Sequence, residues 1–149
     1  MKLIEPEVGV EEVNAVQTVL ASGNLTQGLV TAEFERVVRE FVGVSHAVAT
    51  SSCTTALHLA LTALGISAGD EVIIPDFTFP ATANAVIQSG ARPVLVDVDP
   101  RTFTMDTSQV SLAMSERTKA IIPVHTFGVC VDTTALEVLA PGIPIIEDA

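Results

Sequence analysis

Four short runs, EVIIP at 71–75, PVLVDV at 93–98, AIIPV at 120–124 and IPII at 143–146, are close to continuous in valine and isoleucine. A strand with one wet face alternates apolar and polar residues, whereas runs without that alternation belong to strands covered on both faces, as in parallel sheets. Helical segments separate them: 54–64 ended by Gly65, 80–88 ended near Gly90, 108–114, and 133–139. With a further strand at 47–51, the order predicts an α/β fold. Its sheet is mostly parallel, joined by right-handed crossovers, with helices on both faces.

Two helices are expected before the sheet. In 10–20, Val10, Val13, Val16 and Leu20 recur at helical spacing, Glu11 and Glu12 sit at the positive end of the helix dipole, and Gly23 follows. In 32–42, Phe34, Val37, Val38, Phe41 and Val42 share one face, Glu33, Glu35, Arg36, Arg39 and Glu40 share the other, and Gly43 stops the turn. That pattern predicts an amphipathic helix lying on a core.

The chain has 149 residues, 48% of them hydrophobic, with 18 acidic and 7 basic side chains and a net charge of −11. A disordered chain of that charge would be poorer in apolar residues, so one soluble globular domain over 1–149 is expected. Scattered cations cannot follow a run of phosphates, and without Trp or Tyr there is little to stack on bases. Nucleic acid and anionic membranes are therefore not expected partners. Cys53 and Cys130 stand far apart without metal-ligand spacing, which predicts no disulfide, no metal site, and two small buried residues in a reducing cytoplasm. Glu5, Pro6 and Glu7 interrupt the first apolar stretch, so no signal peptide is expected, and no run reaches the roughly 18 apolar residues of a membrane span.

In open parallel sheets ligands bind outside the carboxyl ends of the strands. The residues there are Ser51 to Thr54, Asp76 to Phe79, Asp97 to Asp99, His125 to Gly128, and Glu147 with Asp148. The turn SSCTT leads into a helix whose first N–H groups lack intrahelical partners; it suits a phosphate, and equally an ordinary helix capped by Ser52 or a neighbour. Neither GxGxxG nor GxxxxGK[ST] occurs, which weakens a dinucleotide or nucleoside-triphosphate reading. Asp148 closes an apolar strand, where a carboxylate needs a cation or a donor: a protonated pyridine nitrogen is one candidate, the N-terminus of a following helix another. Phe79 could stack on a flat ring or plug the core. His125 could donate to a ligand, whereas His58 in mid-helix reads as structural. Asp97 and Asp99 read as a strand capped by a turn rather than as a catalytic dyad.

In combination, LTQG at 25–28, ATSSCTTALHLALTALGISAGDEVIIPDFTFPATANAV at 49–86, ARPVLVDVDPRTFTMD at 91–106, TKAIIPVHTFG at 118–128 and IPIIEDA at 143–149 resemble the DegT/DnrJ/EryC1/StrS sugar aminotransferases. The resemblance implies a fold-type I enzyme using pyridoxal 5′-phosphate, which transfers an amino group, usually from glutamate, to a nucleotide-linked keto sugar. It implies that Cys53 and Thr54 hold the cofactor phosphate, that Phe79 stacks on the pyridine ring, and that Asp148 pairs with the ring nitrogen. Cys53 stands where the family commonly has a small residue, which leaves its backbone role intact. Thr26 and Gly28 resemble the stretch that approaches the substrate across a dimer interface.

The family's cofactor-attaching lysine follows the aspartate, in a segment absent here, and the chain's own Lys2 and Lys119 do not match it. The resemblance thus implies the N-terminal part of the large domain, a cytoplasmic homo-oligomer without catalytic competence by itself. Two other readings come from different classes. One is a noncatalytic assembly module derived from the same fold. The other is a flavodoxin-like FMN-binding domain, suggested by the hydroxyl-rich loop, although flavin carriers place that loop after their first strand and here two helices come first.

Overall fold

The stretch Glu71–Pro75 forms β1, buried at every position, in the computed structural model, which describes residues 5–149. It is the central strand of a parallel sheet ordered β2-β1-β3, with β2 at Arg92–Val96 and β3 at Thr118–Ile121. Successive side chains of β1 serve opposite cores. Val72 and Ile74 pack with Leu57 and Leu61 of α3 (Cys53–Ala63), Ala85 and Val86 of α4 (Ala81–Gln88), and Ala120 and Ile122. Ile73 packs on the other face with Val96, Ile121, Val110 of α5 (Thr107–Ala113), and Leu136 of α6 (Thr133–Leu139). Helices cover both faces, which is why β1 has no polar alternation: each of these side chains contributes roughly 1.5–3 kcal/mol by leaving water.

By internal packing the chain divides into two compact units, Met1–Ala49 and Thr50–Ala149. The first contains α1 (Val10–Ser22) and α2 (Leu29–Val42), each followed by a glycine in the left-handed conformation, Gly23 and Gly43. Arg36 clamps Glu33 and Glu40 at 2.6 Å each along the polar side of α2. The apolar side departs from expectation. No residue of α2 is buried and Phe41 is 90% exposed, so within the described residues this face does not lie on a core.

Three expected elements change. Residues 47–51 form no strand: among the described residues they pair with no other segment, and the N–H of Ala49 is taken by Glu35 Oε1 at 2.8 Å. A β-prone stretch becomes a strand only where a neighbour offers a ladder. The segment 143–146 joins β3 through isolated parallel bridges, Ile121 with Ile145 and Val124 with Asp148, rather than a continuous strand. Pro123 and Pro144 lie in these paired segments and have no N–H to donate. Finally, β3 starts at Thr118 and skips Lys119 in its pairing with β1, since Glu71 faces Thr118 and Val72 faces Ala120.

Both cysteines are exposed, against the expectation of burial. Cys53 is the first residue of α3, at the rim of the sheet, and Cys130 lies in the irregular link before α6; neither position points into a core. Among the described residues no helix is long and apolar enough to cross a membrane.

Candidate functional site

The start of α3 is set by Ser52, whose backbone is extended (φ −164°, ψ 160°) and whose Oγ accepts the N–H of Thr55 at 3.2 Å. The carbonyl of Ser52 accepts the N–H of Ala56 at 3.0 Å. Helix geometry leaves the N–H groups of Cys53 and Thr54 without intrahelical acceptors, at the positive end of the dipole. The capped-helix and anion-binding readings are therefore compatible, because the cap uses a different donor.

Asp148 is fixed against the end of β3 by its own backbone. Its N–H donates to the Pro123 carbonyl at 3.0 Å, and its carbonyl accepts the N–H of His125 at 2.9 Å. The side chain turns toward the mouth of α3, where Cys53 Sγ donates to Oδ1 at 3.4 Å. Partial burial of the sulfur, and next the contact with Asp148, push the Cys53 thiol up, which keeps it a protonated donor. On the other side Thr82, 1% exposed, donates from Oγ1 to Oδ2 at 2.8 Å, and Thr78 Oγ1 lies 3.0 Å from Thr82 Oγ1.

The fold thus brings Cys53 and Asp148 together from positions 95 residues apart. Thr54, the second residue of α3, is half-buried. Phe79 is 78% exposed just before α4, so it is no core plug. The rings that do meet are Phe77, Phe103 and Phe127, with centroids 5.6 to 6.4 Å apart. Thr26 belongs to the unit Met1–Ala49 and is exposed there.

His125 is occupied within the protein. Its Nδ1 accepts the N–H of Val131 at 3.1 Å, so in the neutral ring Nε2 carries the proton and donates to Glu147 Oε2 at 2.8 Å. Asp99 is gripped by Arg101, whose hydrogen bonds hold its carboxyl down at about 2, and Asp97 accepts the N–H of Val98 at 2.8 Å. Both serve a turn. Lys119 is exposed at the start of β3, the sheet end opposite Asp148, and Lys2 lies outside the described residues. Thr78 falls within the rim segment Asp76 to Phe79, but Thr82 escaped the sequence analysis: it stands in the next helix, and nothing local marks a partner 66 residues later.

The model of the DegT/DnrJ/EryC1/StrS aminotransferase family matches residues 6–149. The chain is 44% identical over 146 residues to the spore coat polysaccharide biosynthesis protein SpsC of Bacillus subtilis (strain 168), covering 97% of this chain and 38% of SpsC. It superposes on the putative sugar aminotransferase Spr1654 of Streptococcus pneumoniae in its PMP-form with a TM-score of 0.91 at 33% identity, covering 97% of this chain and 41% of that one. DesV of S. venezuelae, solved in complex with a ketimine intermediate, gives a TM-score of 0.90 at 40% identity, covering 93% and 38%. The chain spans about two fifths of these relatives' length. Family and neighbours point to sugar aminotransferases rather than to an assembly module or a flavin carrier. With its match running from residue 6 to residue 149, the chain belongs to the DegT/DnrJ/EryC1/StrS aminotransferase family.

Proposed function

We propose that this chain is the N-terminal part of the large, cofactor-binding domain of a pyridoxal-phosphate-dependent aminotransferase. Its reaction would move an amino group from an amino acid, glutamate in the usual family pattern, to a nucleotide-linked keto sugar, in a cytoplasmic homodimer. The observation that supports this best is the 3.4 Å approach of Cys53, at the mouth of α3, to Asp148. Unpaired helix N–H groups suit a phosphate, and a carboxylate beside them suits a protonated ring nitrogen. The neighbour Spr1654 is known in PLP- and PMP-forms.

The residues present fit such a group. The N–H groups of Cys53 and Thr54 would receive the phosphate, Phe79 would cover one ring face, and Asp148 would accept the ring N–H and keep that nitrogen protonated. When bound, pyridoxal phosphate supplies an electron sink for the charge released as the donor's Cα–H bond breaks. Thr26 is assigned, in this reading, to the sugar substrate across the dimer interface. Lys119 stands at the wrong end of the sheet for covalent attachment, so the 149-residue chain holds the cofactor without turning it over.

Equilibrium dialysis tests the assignment with pyridoxamine 5′-phosphate and pyridoxamine, neither of which forms an imine with lysine. The phosphorylated compound is expected to bind at least about ten-fold more tightly, and Asp148→Asn to weaken it by about ten-fold, the size of one charge-assisted hydrogen bond. Equal affinities for the two compounds would overturn the reading. Competence is tested by adding pyridoxal phosphate, reducing with borohydride and mapping the product. Modification confined to one lysine, together with amination of a keto sugar, would show the chain to be active by itself.

A further inference from the structure

The Asp148 carboxylate is held on two sides, and the two holds differ in kind. Cys53 offers a weak sulfur donor at the exposed rim, 3.4 Å from Oδ1. Thr82 offers a buried hydroxyl 2.8 Å from Oδ2. An ionised carboxylate only accepts, so the single hydroxyl proton of Thr82 is committed to Asp148. The 3.0 Å contact between Thr78 and Thr82 must then have Thr78 as donor. The chain of hydrogen bonds runs one way, from the loop after β1 through the first turn of α4 to the carboxylate, each bond polarising the next.

The backbone of Asp148 is already pinned to Pro123 and His125, so rotation about its side-chain bonds is the freedom left. From this arrangement we infer that Thr82 is a positioning residue, whose hydroxyl sets the plane of the Asp148 carboxylate at the mouth of α3. Its functional meaning rests on the preceding assignment of Asp148 to the cofactor nitrogen; its structural content does not. Each carboxylate oxygen keeps a lone-pair site after binding Cys53 and Thr82, and fixing the plane fixes where those sites point. Without the Thr82 hydroxyl, Oδ2 loses its 2.8 Å donor and the carboxylate swings away from both Thr82 and Cys53.

That movement is readable without cofactor, because the thiol of Cys53 senses the carboxylate. The full chain carrying Cys130→Ala, which removes the other exposed thiol, is alkylated with iodoacetamide at one fixed pH. Thr82→Val is expected to speed alkylation of Cys53 about three-fold, as a thiol released from a nearby anion ionises more readily. Asp148→Asn should do the same, and Thr82→Ser should restore the original rate. In parallel, Thr82→Val should weaken pyridoxamine 5′-phosphate binding about ten-fold, again rescued by serine.

An alkylation rate unchanged by Thr82→Val overturns the inference whatever the cofactor does. A rate that responds and is rescued, in a chain that binds no pyridoxamine 5′-phosphate, supports the hold on Asp148 and overturns the cofactor reading instead. Should Thr82→Val fail to fold by circular dichroism, Thr78→Val removes the donor feeding Thr82 from a half-buried loop position. It is then expected to shift both readouts the same way by a smaller factor, and no shift overturns the inference.

Discussion

Leu61 and Leu59 test the account of the core with one helix and one residue type. Leu61 is 0% exposed between α3 and the sheet, while Leu59, two residues earlier, is 50% exposed. Truncation to alanine removes the same atoms from each, and the small gain in helix propensity cancels in the comparison. At Leu61 the lost transfer free energy adds to a cavity that its fully buried neighbours Val72, Ile74 and Val86 cannot close, for about 3–4 kcal/mol in all. At Leu59 roughly half the transfer term applies and water fills the space, for about 1 kcal/mol. Urea unfolding monitored by far-ultraviolet circular dichroism measures both, with the midpoint displaced in proportion to the loss at constant slope. Losses agreeing within about 0.5 kcal/mol would refute the packing of α3 on this face. If the start of α3 receives the cofactor phosphate as proposed, Leu61→Ala should also weaken pyridoxamine 5′-phosphate binding while Leu59→Ala leaves it nearly unchanged.

Two further outcomes follow from other parts of the structure. Glu71, buried at the start of β1, accepts from Arg92 and Ser115 and pairs with Arg117; the Arg92 hydrogen bond first, and Ser115 next, hold its carboxyl below the ordinary range. A depressed folded value makes the stabilisation complete above the unfolded carboxyl's titration and lost as pH falls through the folded one, so Glu71→Gln should flatten the acid limb of a plot of urea midpoint against pH. An unchanged acid limb would remove Glu71 from the account. Gly90 has φ +85°, and an added Cβ would meet Ala68 N at 3.3 Å, whereas Gly65 has φ +76° in open space. Gly65→Ala should cost about 1 kcal/mol for the left-handed backbone alone, and Gly90→Ala measurably more in the same urea assay; equal losses would show that Ala68 gives way.

Much of the fold was legible because its causes are local. The helices at α1, α3, α4, α5 and α6 follow apolar spacing closed by glycine or a polar cap, as with Ser52, Asp106 and Asp132. β1 was readable to the residue, since a strand buried on both faces has no polar position to blur its ends. Residues 47–51 have the composition of a strand but no ladder partner among the described residues, and the apolar face of α2 is periodic without being buried there. Periodicity records which side of an element is apolar; it does not record what lies against that side.

The site divides along the same line. Composition and order alone indicated that small hydroxyl residues begin the helix after residues 47–51 and that an acid ends the last apolar run; the strand expected at 47–51, which was to carry that helix mouth to the sheet edge, does not form. Only the tertiary structure decided that Cys53 rather than Ser52 meets Asp148, that His125 is spent on Val131 and Glu147, and that a buried threonine supports the carboxylate. Hydrogen bonds spanning 66 and 95 residues depend on how strands align and where α4 lands on them, and no local pattern of side chains carries that information.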